Sequence, residues 1–302
     1  MFAINEITRR YEAAIASFVD KLRGDPNIIA VLVAGSVYHG TVWERSDVDM
    51  AVVIRDKKLD RNEFGIYEDG ILLNVNLIQR SELKRGMEKS LGGTFGHSID
   101  ATTRVVYTTD DSLYEYVEEN RSIGQADAEK AVFNHVNWLL GTMEKVEKWL
   151  VVKQDPEYAR YYVLKAADCI ANIEVCSRMI VPTREAILQA AELNPELMRK
   201  FYSAPMSAPM TEQAIYDIFK EMNAYILTKM DAVTAVVDEF FGDGEIKSGT
   251  HIKSHFRHGL HALHPILDFL CDQNILIKLS QPIRLTPKGR MSVDETAFII
   301  QR

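Results

Sequence analysis

The sequence predicts an α+β protein in which a small mixed sheet is followed by an α-helical bundle and a short C-terminal domain. Three observations support this fold class. Apolar runs of strand length occupy residues 1–122, an apolar period of about 3.6 residues continues through residues 123–243, and apolar and polar residues alternate again within residues 244–302. We therefore expect three domains with these boundaries in the chain of 302 residues.

The first domain is expected to be built on a sheet that follows an opening helix. Apolar residues at three- and four-residue spacing predict this helix, which ends at Gly24-Asp25-Pro26. Four strands and one further helix are predicted from short runs: IIAVLVAG (28–35), DVDMAVVI (47–54), ILLNVNLI (71–78) and RVVYTT (104–109) as strands, and SELKRGMEK (81–89) as the helix. Because side chains alternate along a strand, Asp47 and Asp49 are expected to share one face.

The second domain is expected to be a bundle of long amphipathic helices. One helix begins near residue 125, and a second begins at Asp155-Pro156, a capping residue followed by proline, and runs to about residue 179. Shorter helices are predicted over residues 183–203, and a third long helix begins at the capping residue Thr211. Long helices with short connections are typical of a bundle.

Composition and charge exclude several classes of protein. With 47% hydrophobic and 26% charged residues, the chain is neither disordered nor collagen-like, and no run reaches the ~18 apolar residues of a membrane span. The three cysteines lack the spacing of a disulfide framework or a zinc site, so we expect a reduced, cytoplasmic protein that does not bind membranes. The three domains carry net charges of −5, −6 and +3, which restricts any nucleic-acid binding to residues 244–302.

The most informative segment is AGSVYHGTVWERSDVDMAVV, residues 34–53, in which one strand ends in Gly-Ser and the next opens with Asp-x-Asp. Gly35 lets the backbone approach a phosphate closely, and Ser36 can donate a hydrogen bond to a phosphate oxygen. Asp47 and Asp49 are carboxylates on one strand face and can bind Mg²⁺, which bridges phosphates. The combination predicts a nucleotide-binding site.

This segment resembles the signature of the nucleotidyltransferase superfamily typified by DNA polymerase β, in particular its small bacterial members and the aminoglycoside and lincosamide nucleotidyltransferases. Gly35, Ser36, Asp47 and Asp49 match the family's motif position by position, and Gly40 matches a glycine that is common in its loop. The family often has an arginine just before that glycine, and this chain has histidine there. In the family, the two aspartates bind the metal ions.

The resemblance implies that the chain transfers a nucleoside monophosphate from an NTP, with two Mg²⁺ ions bound by Asp47 and Asp49. Five residues are expected to contact the nucleotide: Gly35, Ser36, His39, Gly40 and Ser46. The helical bundle corresponds to the substrate-binding half of the antibiotic-modifying members, and its negative charge favours a cationic small-molecule acceptor such as an aminosugar. The sequence also allows a homodimer.

One departure from the family concerns the third carboxylate, which in the family lies on a later strand and acts as, or near, the general base. In ILLNVNLI the corresponding face carries Asn74 and Asn76, which we expect to be part of the catalytic site. An amide oxygen can bind Mg²⁺, but an amide cannot accept a proton at useful pH. Four carboxylates near in sequence are candidates for the base: Glu68, Asp69, Glu88 and Asp100.

The C-terminal domain contains two further patterns. Five histidines lie in HIKSHFRHGLHALH, and both zinc binding and a solvated helix face explain their spacing: His251, His255, His258, His261 and His264. The following run ILIKLSQPIRLTPKGR (275–290) resembles the wing of winged-helix domains, which bind DNA, dimerise or pack against other domains. We therefore predict a helix feeding a β-hairpin.

Three functions are consistent with these observations. The first is Mg²⁺-dependent transfer of a nucleoside monophosphate from an NTP to a hydroxyl of a small molecule. The second is a regulatory nucleotide-binding protein with weak or no catalysis, whose winged-helix tail binds DNA or a protein, because the third carboxylate is missing. The third is nucleotidylylation of a protein, as in antitoxin members of the superfamily.

Overall fold

The computed structural model describes residues 2–37, 42–90, 93, 95–257, 260–286 and 288–301. The predicted α+β class is confirmed. The chain divides into two compact units, the first formed by Met1–Asp127 with Met179–Arg184 and the second by Ala128–Arg178 with Glu185–Arg302. His39, Gly40 and His258 lie outside the described residues.

The first unit contains a mixed five-stranded sheet and four helices among its described residues. The strands are β1 (Ile28–Ala34), β2 (Val48–Ile54), β3 (Glu63–Glu68), β4 (Ile71–Gln79) and β5 (Arg104–Thr108). The helices are α1 (Phe2–Leu22), α2 (Arg80–Ser90), α3 (Phe95–Ala101) and α4 (Ser112–Glu119), and a 3₁₀ turn covers Gly35–Val37. All four predicted strands and the two predicted helices are present.

The strand order is β3-β4-β2-β1-β5, in which β2 and β4 are parallel and every other pair is antiparallel. The strand β3 is not among the four strands that the sequence predicts. Its short run Glu-Phe-Gly-Ile-Tyr-Glu has alternating burial and a central glycine, and it forms an edge strand paired only with β4. Glycine is unfavourable within strands, which is why this run carries a weak strand signal.

Helices cover the sheet unequally on its two faces. Helix α1 buries Tyr11, Ile15 and Phe18 against one face, where Val33 and Leu73 belong to the same apolar core. On the other face α2 and α4 form a smaller core with part of β1 and β2. The part of this second face where β1 ends and β2 begins lies outside this smaller core, and polar side chains are exposed there.

The second unit consists of helices followed by a small sheet. The helices before residue 244 are α5 (Gln125–Glu147), α6 (Pro156–Cys176), α7 (Ala186–Leu193), α8 (Pro195–Met198), α9 (Ala204–Ser207), α10 (Glu212–Leu227) and α11 (Met230–Phe241). Single π-helical turns, Lys148–Val152 and Arg199–Ser203, follow α5 and α8.

The structure confirms two predicted helix starts and corrects one predicted helix. The side chains of Asp155 and Thr211 accept hydrogen bonds from the backbone N–H groups of Tyr158 and Ala214, and so cap α6 and α10. The predicted third long helix is two helices, because the chain leaves the helical path at Thr228 and Lys229. No glycine or proline marks this break in the sequence.

A buried carboxylate connects four segments of the second unit. Glu174 on α6 accepts hydrogen bonds from Arg178 at 2.9 Å, from Asn194 at 3.1 Å, and from Tyr225 and Lys229 at 3.2 Å each. Burial alone would raise the pKa of Glu174, but the hydrogen bonds of Asn194 and Arg178 and the charge of Lys229 outweigh it and lower the pKa to about 2. Glu174 is therefore a charged residue in the interior of the bundle.

The C-terminal residues of the second unit form β6 (Lys247–Ser248), α12 (Gly249–Phe256), α13 (Leu260–Asp272), β7 (Leu276–Ile283) and β8 (Val293–Ile300). The predicted helix is present as α13, and a β-hairpin follows it, but this is not the hairpin predicted within residues 275–290. The strand β7 continues through Gln281 and Pro282, which an edge strand tolerates, and its partner β8 lies beyond residue 290. The sheet order is β6-β8-β7 with antiparallel pairs. The winged-helix assignment, and a separate third domain beginning at residue 244, stay predictions.

The side chain of Asn137 on α5 joins this C-terminal segment at a proline. Pro265 lies inside α13 and has no backbone N–H to donate within the helix. Asn137 Nδ2 donates to the Ala262 oxygen at 2.8 Å, and Asn137 Oδ1 accepts from the Ile266 nitrogen at 3.2 Å. One turn along α5, Gly141 leaves room for the ring of Pro265.

Helices of the length and apolarity needed to cross a bilayer do not occur in the described part of the chain.

Candidate active site

The first feature of the candidate site is the turn at the end of β1. Ala34 pairs with Asp49 across β1 and β2, and the next residue, Gly35, has a φ of 81°, a conformation that favours glycine. A Cβ atom at Gly35 would lie 3.5 Å from Asp49 Oδ2. The Gly35–Val37 turn, which includes the backbone of Ser36, therefore begins beside the second aspartate of the motif.

The two aspartates are exposed and are bridged by an amide. Asp47 immediately precedes β2, and Asp49 is the second residue of that strand. The parallel register pairs Asp49 with Asn74 on β4, so that Asn74 Nδ2 donates to Asp47 Oδ2 at 2.6 Å and lies 3.4 Å from Asp49 Oδ1. The amide thus offsets part of the repulsion between two neighbouring carboxylates.

Asn76 and Ser46 lie near this pair but have other partners. Asn76 is exposed and pairs with Ala51; it lies two residues after Asn74 on the same strand, β4. The hydroxyl of Ser46 accepts a hydrogen bond from the Trp43 backbone at 3.2 Å, and the carbonyl of Ser46 accepts one from Tyr11 at 2.6 Å. Burial, reinforced by the charge of Asp47, raises the pKa of Tyr11, which therefore stays a proton donor that fixes the loop before the aspartates.

The four carboxylates suggested as general bases lie elsewhere. Glu68 is buried and bonded to Ser17 and Lys21, and the Lys21 and Ser17 bonds lower its pKa. Asp69 occupies the β3–β4 turn with a φ of 50°, and Glu88 is exposed on α2. Burial raises the pKa of Asp100, which accepts a hydrogen bond from Ser90. None of the four lines the cleft beside Asp49 described next.

A cleft of about 710 Å³ opens beside Asp49 and extends over β4 to β3. Its polar lining residues are Asp49, Asp60, Arg61, Asn62, Glu63, Asn74 and Asn76. Sequence reasoning did not find Asp60, Arg61 and Glu63. Their only sequence signal is the Asp-x-x-Glu spacing before an alternating run, and their position at the site depends on the pairing of β3 with β4.

The donor atoms at this site fit a hard divalent cation such as Mg²⁺. Asp47 and Asp49 offer exposed carboxylate oxygens, and the Asn74 amide, which bridges them, carries an oxygen as well as its nitrogen. Within the described ranges, no three residues of the types His, Cys, Asp and Glu come together in a metal-binding group. The two aspartates would therefore be the anionic ligands of a bound cation.

The four histidines of the C-terminal segment that the structure describes are spread over two helices. His251 and His255 lie on α12, and His255 stacks on Phe240 with ring centroids 4.2 Å apart. His261 and His264 lie on α13, and His264 Nδ1 is 3.1 Å from the carboxylate of Asp268. Each described contact is an aromatic or charge interaction, so these contacts do not indicate zinc binding.

Comparison with known proteins finds a family match within the first unit of the chain. Residues 17–112 match the family model described as polymerase beta, nucleotidyltransferase, which confirms the resemblance for this part of the chain. Among curated proteins, no sequence matches the chain.

Two solved structures are similar to the chain. A nucleotidyltransferase-like protein from Exiguobacterium sibiricum 255-15 has a TM-score of 0.66 and 14% sequence identity, over 96% of this chain and 99% of that one. A spectinomycin adenyltransferase from Enterococcus faecialis, solved with ATP and spectinomycin, has a TM-score of 0.31 and 14% identity, over 72% of this chain and 98% of that one. The first likeness shows that the two chains share a fold over nearly their whole length.

Proposed function

We propose that the chain transfers a nucleoside monophosphate from an NTP to a hydroxyl group of a small molecule, with Mg²⁺ as cofactor. The observation that carries this proposal is that the Gly35 turn lies beside Asp49, with Asp47 and Asp49 exposed together at the start of β2. This arrangement lies in the segment that matches the nucleotidyltransferase family.

The roles of the residues follow from their chemistry. The backbone at Gly35 and Ser36 would contact the phosphates, and Asp47 and Asp49 would hold Mg²⁺, which when bound supplies positive charge to the phosphates. His39, Gly40 and Ser46 complete the proposed nucleotide site. The acceptor oxygen attacks the α-phosphorus, the bond from that phosphorus to the bridging oxygen breaks, and pyrophosphate leaves with the electron pair.

A cationic acceptor is supported by the charge of the cleft. Asp49, Asp60 and Glu63 bring three carboxylates to it, while Arg61 is the one cationic residue among its described lining. A protonated amine on the acceptor would reduce this excess of negative charge. An aminosugar has both the amine and the hydroxyl that the proposed reaction requires.

Pyrophosphate release tests the proposal. Each common NTP is incubated with a panel of aminosugars and neutral polyols, with Mg²⁺ or with EDTA, and released pyrophosphate is measured. The proposal expects release that requires Mg²⁺ and one class of acceptor. Tight NTP binding without any release would instead favour the second candidate, a regulatory nucleotide-binding protein, which the replacement of the third carboxylate by Asn74 supports.

Replacing Asn74 with Asp is expected to speed turnover in Mg²⁺ and to destabilise the metal-free protein. Asn74 donates hydrogen bonds toward both aspartates, and a third carboxylate would repel them until a cation binds. We expect a loss of roughly 1–3 kcal/mol in the free energy of unfolding in EDTA, and its recovery in Mg²⁺. Denaturant titrations in both buffers and the pyrophosphate release rate check this.

Asn76→Asp is the matched control, because Asn76 pairs with Ala51 and makes no hydrogen bond to either aspartate. The prediction fails if the two variants lose stability equally in EDTA. If Asn74→Asp is no faster than the wild type in Mg²⁺, a carboxylate at this position of β4 does not assist the reaction.

A further inference from the structure

The edge strand β3 brings an unassigned carboxylate to the open face of the sheet. Glu63 pairs with Asn76, and Gly65 pairs with Asn74, which in turn pairs with Asp49. Residues paired across neighbouring strands share a face. Glu63 is therefore on the same face as Asp49, and both line the 710 Å³ cleft.

The Glu63 carboxylate is available for chemistry. It is exposed, and among the contacts of the described residues its side chain makes neither a hydrogen bond nor an ion pair, in contrast to Glu68 and Asp100. The neighbouring Arg61 makes other contacts among the described residues. The Nε atom of Arg61 donates to the backbone oxygen of Glu63 at 2.8 Å, and its guanidinium lies 4.7 Å from the ring centroid of Phe64.

The distance between Glu63 and Asp49 across the sheet is large enough for the reacting groups to lie between them. Two strand separations and two residue steps place the Cα atoms of Glu63 and Asp49 roughly 12 Å apart. The side chains extend from the same face, so the space between their carboxylates can hold a phosphate on the Asp49 side and an acceptor hydroxyl on the Glu63 side. Gly65, opposite Asn74, adds no side chain to this space.

We propose that Glu63 is the general base of this site, in place of the carboxylate that Asn74 replaces; this inference rests on the proposed nucleotidyl transfer. The Glu63 carboxylate accepts the proton of the acceptor hydroxyl. That oxygen forms the new bond to the α-phosphorus as the bond to the bridging oxygen breaks, and pyrophosphate leaves with the electron pair. An amide at position 63 can hydrogen-bond to the hydroxyl but cannot take its proton.

The test compares Glu63→Gln, Glu63→Asp and the control Glu82→Gln, an exposed carboxylate on α2. Calorimetry measures the affinity for ATP in Mg²⁺, and pyrophosphate release measures kcat as a function of pH. For Glu63→Gln we expect the same Kd for ATP within about threefold, a kcat lower by roughly 10²–10⁴-fold, and loss of the fall in kcat at acidic pH. Glu63→Asp should recover part of the rate, and Glu82→Gln should match the wild type.

The outcomes separate this inference from the function on which it rests. If Glu63→Gln keeps the wild-type kcat and pH profile, Glu63 is not the base and the transferase proposal stands. If the wild type binds ATP but releases no pyrophosphate with any acceptor, both the base and the transferase are contradicted. If no ATP binds in Mg²⁺, the nucleotide site itself is wrong.

Discussion

Replacing both Asp47 and Asp49 with Asn is expected to abolish NTP binding that depends on divalent metal. The two carboxylates are the anionic groups that the Gly35 turn and β2 bring together, and asparagine keeps their size while removing the charge that holds Mg²⁺. Changes around metal ligands cost 10–100-fold in metal affinity, so loss of both ligands should weaken NTP binding in Mg²⁺ by more than about 100-fold. Calorimetric titration with ATP, in Mg²⁺ and in EDTA, measures this.

The control for the double variant is Asp20→Asn, which removes an exposed carboxylate of α1 paired with Arg23. Such surface pairs contribute little to stability, and Asp20 lies away from the aspartate pair in the sequence and is not among the residues lining the cleft. The far-UV circular dichroism of both variants should match the wild type. Unchanged ATP affinity in the double variant would show that the metal site has been assigned to the wrong residues.

Replacing Glu174 with Gln is expected to destabilise the helical unit by about 3–5 kcal/mol, because breaking a buried ion pair leaves uncompensated charges. Lys229 and Arg178 would both lose their anionic partner, and Tyr225 would lose a charged acceptor. Urea denaturation at pH 7 measures the change in the free energy of unfolding. Glu196→Gln, which removes an exposed carboxylate 3.9 Å from Arg199, should cost less than about 1 kcal/mol.

The same residue gives the wild type a stability that depends on pH. The pKa of Glu174 is lowered in the folded state to about 2, whereas an unfolded glutamate titrates near 4.3. The unfolded state therefore binds the proton first as pH falls, so this contribution is complete above about pH 5 and is lost toward pH 2. It amounts to roughly 3 kcal/mol. Denaturation of Glu174→Gln between pH 5 and pH 3 should show a shallower loss than the wild type; parallel curves would refute the assignment.

The sequence predicts best those elements whose signals are local. Asp155 and Thr211 mark helix starts because a capping side chain bonds to a backbone N–H only three residues away. The break at Thr228 and Lys229 has no such signal, since both residues occur within helices and the change of direction depends on tertiary packing. In this chain, local sequence patterns therefore predict where helices begin more reliably than where they end.

The residues of the candidate site also differ in whether a local sequence signal predicts them. The Gly-Ser and Asp-x-Asp elements both lie within residues 34–53, and the strand carrying Asn74 is a long apolar run, so their proximity follows from a short list of pairings. Local sequence pattern does not predict that Glu63 lies at the site, because its strand is short, contains Gly65, and reaches the site only through pairing with β4. Its position depends on register, which sequence pattern does not specify for a half-exposed edge strand.

The hydrogen bonds of the Asn137 side chain beside Pro265 have a consequence for the order in which helices fold during synthesis. Pro265 lacks a backbone N–H, and on either side of it the oxygen of Ala262 and the N–H of Ile266 bond to the side chain of a residue more than a hundred positions earlier. Because the ribosome releases α5 first, the template for α13 already exists when residues 260–272 emerge. Helix α13 is thus expected to reach its final structure late, against a helix α5 that has already formed. A fragment beginning at residue 244 would lack Asn137, and the hydrogen bonds that Asn137 makes to α13 would be missing.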